Sequence, residues 1–101
     1  MERITTKHLE VLIARLNKLT NSPSTPYATD DDGKFHAQIG NYHLSQAYGG
    51  VCLHRMHNEG GGVTTPLSYG HITKRELYDQ LYSFIKGIEA VKYNEVNISE
   101  E

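Results

Sequence analysis

Residues 42–57 read YHLSQAYGGVCLHRMH, and this stretch decides the fold. Polar and apolar residues alternate on either side of Gly49-Gly50, a pattern typical of two half-buried strands joined by a tight turn. If Gly49-Gly50 forms the turn, Tyr48 pairs with Val51. The stretch therefore predicts an antiparallel hairpin.

The two faces of this hairpin differ in chemistry. The register places Ser45 opposite His54 and His43 opposite Met56. We expect the apolar face to lie under helices and the other face to be polar. The polar face carries His43, Ser45, Cys52, His54 and Met56, and the apolar face carries Tyr42, Leu44, Tyr48, Val51 and Leu53.

The segment before the hairpin predicts one more strand. Phe35, Ala37 and Ile39 alternate with polar residues, and Gly40-Asn41 tolerates positive φ, so it would form a second hairpin turn. Residues 21–33 are rich in Ser, Thr, Pro and Asp, and they predict a loop that ends in a turn.

Amphipathic helices are predicted at both ends of the chain. Residues 6–20 carry an apolar stripe at helical spacing, and Asn21-Ser22-Pro23 ends it. The second helix begins at Thr73, which forms a capping box with Glu76. Gly87 costs about 1 kcal/mol in a helix interior, so it either allows close contact with another element or begins the end of the helix. The second stripe is Leu77, Leu81, Phe84, Ile85 and Ile88.

The predicted order is α-β-β-β-(β)-α, in which residues 63–67, broken by Pro66, form the optional edge strand. We therefore predict an α+β domain over residues 1–93, with a small antiparallel sheet of three or four strands and two helices on one face. Residues 94–101 are acidic and predict a disordered tail. A chain of this size buries a modest core, so we expect a homodimer interface to add stability.

Composition excludes several classes of protein. A single cysteine, Cys52, excludes a disulfide scaffold, and no apolar run approaches the ~20 residues of a membrane span. Ten basic against twelve acidic residues argues against a general polyanion binder. Six of the acidic residues lie in two short segments, and the rest of the chain has six acids against ten bases. A small anionic ligand therefore stays among the candidate ligands. Those six are Asp30, Asp31, Asp32, Glu95, Glu100 and Glu101.

The polar face raises the question of metal or catalysis. Cys52, His54 and His43 share it, and thiolate and imidazole are ligands for zinc or copper. Cys52 beside a histidine would also suit a nucleophile. A solvated or partner-binding face with a small buried cysteine explains the same residues without either, and we favour it. We therefore expect no cofactor and do not favour an enzyme.

Two further segments are candidates for binding. The Gly60-Gly61-Gly62 loop would offer backbone N–H groups to a phosphate, although it lacks the Lys-Ser/Thr of a P-loop and equally suits a mobile hairpin loop. Lys74 and Arg75 open the second helix, where double-stranded-RNA-binding domains of similar α-β-β-β-α outline contact phosphates, but Glu76 dilutes the patch. The candidate ligand- or partner-binding residues are His43, His54, Tyr48, Gly60, Gly61, Gly62, Lys74 and Arg75.

Short motifs spread over residues 33–90 carry a resemblance. They are Asp32-Gly33-Lys34-Phe35-His36-Ala37, Gly40-Asn41-Tyr42-His43-Leu44, Ala47-Tyr48-Gly49-Gly50, Asn58-Glu59-Gly60-Gly61-Gly62-Val63 and Lys74-Arg75-Glu76-Leu77-Tyr78. In these motifs the chain resembles a group of small accessory proteins encoded by tailed phages and prophages. The resemblance implies a phage accessory product in the cytoplasm of a bacterial host, and it implies no catalytic residues.

These observations favour a non-enzymatic, phage-type binding protein without membrane association. Its partner would be a host protein or other macromolecule, or it would sequester a small, possibly anionic, ligand. The alternatives are a nucleic-acid-binding domain of double-stranded-RNA-binding outline and a metal-dependent or cysteine enzyme.

Overall fold

The computed structural model describes residues 3–99, with a helix first and last and five strands between them. The α+β class predicted from the sequence is confirmed. The strands form two antiparallel sheets, one of two strands and one of three. The elements are α1 (Thr6–Leu19), β1 (Tyr27–Thr29), β2 (Phe35–Ala37), β3 (Tyr42–Ala47), β4 (Gly50–Met56), β5 (Val63–Thr64) and α2 (Lys74–Ser99).

Both helices begin at a threonine cap. Thr5 Oγ1 accepts a hydrogen bond from the His8 backbone N–H, and His8 Nδ1 accepts one from the Thr5 N–H. At α2, Thr73 Oγ1 accepts from the Glu76 N–H at 3.1 Å, and Glu76 Oε1 accepts from the Thr73 N–H at 3.4 Å, so the predicted capping box is confirmed. Each box satisfies backbone donors that the first helical turn leaves unpaired.

The core lies between the two helices and one face of the three-stranded sheet. As predicted, that face is the one carrying Leu53, and both helices cover it. Arg15 on α1 and Glu89 on α2 form an ion pair at 2.9 Å across the helix pair. The buried core residues are Leu9, Ile13, Leu16, Tyr42, Val51, Leu53, Leu77, Leu81 and Ile85.

A buried asparagine joins α1 to the sheet. Asn17 is 4 % exposed, and its amide pairs with the backbone of Tyr42 in both directions. Asn17 Nδ2 donates to the Tyr42 carbonyl at 2.9 Å, and the Tyr42 N–H donates to Asn17 Oδ1 at 2.8 Å. The amide therefore completes the hydrogen bonding at the start of β3, which is an edge strand of the described three-stranded sheet.

The predicted hairpin at Gly40-Asn41 is wrong. β2 pairs instead with β1, a strand inside the segment predicted as a loop. Asp30 Oδ1 accepts from the N–H groups of Asp32 and Lys34, which organises the β1–β2 turn locally. Gly40-Asn41 connects the two sheets, because the Gly40 N–H donates to the Met56 carbonyl and the Asn41 carbonyl accepts from the Met56 N–H.

The predicted register of the main hairpin is wrong: each residue of β3 pairs with a β4 residue two positions earlier than predicted. Ala47 pairs with Gly50, and the turn residues are Tyr48 and Gly49, with φ of 54° and 74°. Positive φ at both turn positions is the geometry that matches the twist of a two-residue hairpin. Because the shift is even, the strand residues stay on their predicted faces. Tyr48, predicted on the apolar face, is instead a turn residue that is 97 % exposed.

The remaining predictions concern the edges of the fold. β5 pairs with the end of β4, which confirms the short edge strand before Pro66. Gly87 neither ends α2 nor meets another element, since a Cβ there would have nothing within 4 Å.

The backbone of residues 94–99 continues α2. Their side chains and residues 100–101 lie outside the described part of the chain, so the predicted tail stays a prediction. Within residues 3–99, no helix combines the length and the apolar character that crossing a membrane requires.

Candidate ligand-binding site

Three histidines from separate segments meet on the sheet face opposite the helices. The observed register places His43 on β3 directly opposite His54 on β4, with ring centroids 5.6 Å apart. His71, which precedes α2, has its ring 6.2 Å from that of His54. His71 Nε2 also lies 2.9 Å from Ser45 Oγ, at hydrogen-bond distance. We call His43, Ser45, His54 and His71 the histidine face.

A single backbone bridge holds His71 over the sheet. The N–H of Val51 donates to the Ile72 carbonyl, and the N–H of Ile72 donates to the Val51 carbonyl, both at 2.8 Å. Ile72 therefore shares the core-facing side with Val51. Because side chains alternate along extended backbone, the preceding residue, His71, lies on the histidine face.

Gly50 makes this approach possible. A Cβ at Gly50 would lie 2.8 Å from the Ile72 carbonyl oxygen and 3.1 Å from the His71 carbonyl carbon. Both contacts are with backbone, which cannot rotate away as a side chain does. Glycine is required here for close packing of two backbone segments, and not for the turn itself.

The environment of the histidine face favours neutral imidazoles. Burial lowers the pKa of His43 below its ordinary value, and the neighbouring His54 lowers it further. Burial likewise lowers the pKa of His54, with His71 as the second cause. His43 Nδ1 also lies 3.2 Å from Asn41 Oδ1, which orients the ring. The face thus disfavours positive charge, because burial penalises the charged rings and protonated rings also repel one another.

Two other predicted residues lie beside the histidine face. The Tyr48 ring is 97 % exposed and stands 5.7 Å from the His71 ring in an edge-to-face arrangement. Lys74 lines a cleft of about 380 Å³ at the same end of the hairpin, together with Gly49 and Gly50. The structure therefore brings Tyr48 to the histidine face and Lys74 to the adjacent end of the sheet.

Cys52 is on the predicted face but is not available there. Its side chain is 1 % exposed, and its Sγ lies 3.6 Å from the Leu53 carbonyl oxygen and 3.8 Å from Ser68 Oγ, which belongs to the segment leading to α2. Burial suits the interpretation of Cys52 as a small core residue. Among residues 3–99, no three His, Cys, Asp or Glu side chains are grouped so that they could hold a metal ion, so Cys52, His54 and His43 do not form a ligand set.

The glycine loop follows the other end of β4. Asn58 organises it, because Asn58 Oδ1 accepts from the N–H groups of both Gly60 and Gly62 at 3.0 Å, and the Asn58 carbonyl accepts from Gly61 at 3.2 Å. Gly61 needs its positive φ of 94° for this turn. The N–H groups that would bind a phosphate are thus already engaged within the loop.

Arg75 stands over an aromatic ring of its own helix. It is half-buried, and its guanidinium stands 6.0 Å from the centre of the Tyr78 ring on the next turn of α2. The paired β1 and β2 also add a second sheet to the α-β-β-β-α outline shared with double-stranded-RNA-binding domains. Lys74 and Arg75 as a phosphate-contacting pair therefore stay a prediction.

The sequence singled out His43, His54 and Tyr48 but missed His71. The available signal was the alternation of His71 with the apolar Ile72, which predicts a short extended segment, yet nothing in the sequence identified its partner strand.

Comparisons with protein-family models, with curated proteins and with solved structures found no match to this chain.

Proposed function

We propose that this chain is a non-enzymatic binding protein for a small anionic ligand, which it holds at the histidine face. The observation that carries the proposal is the row of His43, His54 and His71 rings on one sheet face, with the Ser45 hydroxyl at hydrogen-bond distance from His71. Imidazole N–H and hydroxyl groups are hydrogen-bond donors, and a phosphate or carboxylate group supplies matching acceptors.

Proton coupling follows from the same geometry. An anion between the rings favours their charged forms, so its binding raises the pKa of His43 and of His54 from their lowered values. Binding is then accompanied by proton uptake. The affinity increases as the pH falls, by about tenfold per pH unit for each proton taken up.

The cellular setting is part of the proposal. The resemblance to tailed-phage accessory proteins suggests a product that acts in the bacterial cytoplasm and sequesters a small anionic metabolite of the host. The choice of the histidine face over the Gly60–Gly62 loop is supported by the N–H groups of that loop, which are already engaged with Asn58.

Isothermal titration calorimetry with inorganic phosphate and sulfate tests the proposal, at about pH 6 and about pH 7.5, on either side of the ordinary histidine pKa. We expect tighter binding at the lower pH and at least a tenfold loss of affinity, about 1.4 kcal/mol, in His54→Asn. His36→Asn is the matched control, because His36 is exposed on β2. No binding at either pH, or an equal loss in both variants, would overturn the proposal.

A salt titration with an RNA duplex distinguishes the competing class. A protein that reads phosphate backbones loses affinity steeply with salt, along a line set by the number of phosphates neutralised. We expect the duplex to bind no more tightly than phosphate alone. Tight, steeply salt-dependent duplex binding that survives His54→Asn would favour the nucleic-acid interpretation instead.

A further inference from the structure

The exposed side of α2 carries an apolar groove. Its volume is about 500 Å³, and a second groove of about 540 Å³, beside Leu67, continues it through Ser83 and Phe84. We call the two together the α2 groove. The first part is lined by Ser83, Phe84, Gly87, Ile88, Val91 and Lys92.

Gly87 lies in the middle of the α2 groove, where none of the described residues gives it a packing role. A Cβ at this position would meet nothing within 4 Å, and α2 runs on to Ser99. Glycine is less favourable than alanine in an exposed helix interior. Val91, one turn further along, is 58 % exposed. A gap beside exposed apolar side chains is typical of a surface that another molecule covers.

The residues along the α2 groove are self-complementary. Gln80, Phe84, Gly87 and Val91 follow one another at intervals of four, three and four residues, so they form one stripe of the helix. When two copies of α2 pack antiparallel about a two-fold axis between residues 85 and 86, Phe84 of one copy lies opposite Gly87 of the second. Gln80 then lies opposite Val91. The large side chain of each copy meets the gap of the other.

Charge favours the same orientation. Asp79 lines one end of the α2 groove, and Lys92 lines the other. Antiparallel packing brings the acidic end of each copy to the level of the basic end of the second, whereas parallel packing would bring like charges together. Two-fold pairing of identical surfaces is the commonest arrangement of homodimers.

We propose that a second copy of this chain packs antiparallel on the α2 groove, with Phe84 of each copy seated over Gly87 of the other. Sedimentation equilibrium of the full chain measures the dimer dissociation constant. We expect Gly87→Ala to weaken the dimer at least tenfold, because the added methyl group fills the seat of Phe84. The same substitution should make the monomer more resistant to urea, because alanine is the better helix former.

The matched control is Lys86→Ala, which changes an exposed neighbour outside the α2 groove and should leave the dimer dissociation constant unchanged. A wild-type protein that stays monomeric, or a Gly87→Ala dimer as tight as the wild type, would overturn the proposal.

Disulfide trapping tests the orientation. Gln80→Cys and Val91→Cys proteins, oxidised as a mixture, should form a cross-linked heterodimer, whereas each protein oxidised alone should not. Cys52 is buried and does not compete. Cross-linking of each variant with itself, without the mixed product, would show a parallel dimer and contradict the proposed packing.

Discussion

Substitution of Gly50 by alanine tests how the histidine face is assembled. The new Cβ would lie 2.8 Å from the Ile72 carbonyl oxygen, closer than Cβ atoms come in real structures, and 3.1 Å from the His71 carbonyl carbon, which is also a tight contact. The segment carrying His71 must therefore move away from β4. That movement breaks the two 2.8 Å hydrogen bonds between Val51 and Ile72 and removes His71 from Ser45.

The expected loss of stability follows from these contacts. Each backbone hydrogen bond contributes about 1 kcal/mol net, so the bridge is worth about 2 kcal/mol. Replacing glycine by alanine recovers about 0.4–1 kcal/mol by restricting the unfolded chain. We therefore expect Gly50→Ala to lower the free energy of unfolding by about 1–2 kcal/mol, and to weaken phosphate binding because one imidazole is displaced.

Urea denaturation, together with the NMR signals of His71, measures both effects. Gly70→Ala is the matched control in the same segment, because a Cβ at Gly70 would meet nothing within 4 Å. Its free energy of unfolding should equal that of the wild type or exceed it by up to about 1 kcal/mol, because alanine restricts the unfolded chain there too. If Gly50→Ala is as stable as Gly70→Ala and leaves the His71 signals unchanged, the reasoning about the bridge is refuted.

Three further changes test the rest of the fold. Asn17→Ala leaves the N–H and carbonyl of Tyr42 without their buried partners, so urea denaturation should show a loss of about 2–4 kcal/mol. Thr73→Ala removes the cap of α2 and should lower the thermal midpoint through a loss of about 1 kcal/mol. His43 and His54 have lowered pKa values in the folded chain, so the unfolded chain binds more protons near the ordinary histidine pKa. The free energy of unfolding should therefore fall as the pH drops through about 6.5, and it should level off below the folded-state pKa values. A free energy of unfolding that rises with acidification over this window would contradict the pKa directions.

Local pattern was enough to predict much of the architecture. Both helices, the cap at Thr73 and the assignment of side chains to the two faces of the hairpin depend on periodicity and capping chemistry between near neighbours. An even shift of register preserves faces, which is why the polar face was right although the pairing of His43 was wrong.

Contacts between segments that are distant in the chain could not be predicted from such local patterns. β1 has three residues, too few for an alternating pattern, so its pairing with β2 was missed. Asn17 was overlooked because a polar residue next to an apolar stripe ordinarily faces solvent. His71 joins the site through the bridge between Val51 and Ile72. This bridge requires glycine at position 50, and that requirement can be recognised only when the positions of both backbone segments are known.

The central claim, that the histidine face binds a small anion together with protons, is tested most directly by NMR titration of the histidine side chains. We predict that without phosphate the pKa of His43 and that of His54 lie below the ordinary value of about 6.5. Saturating inorganic phosphate should raise both. Values at His43 and His54 that do not respond to phosphate would contradict the claim.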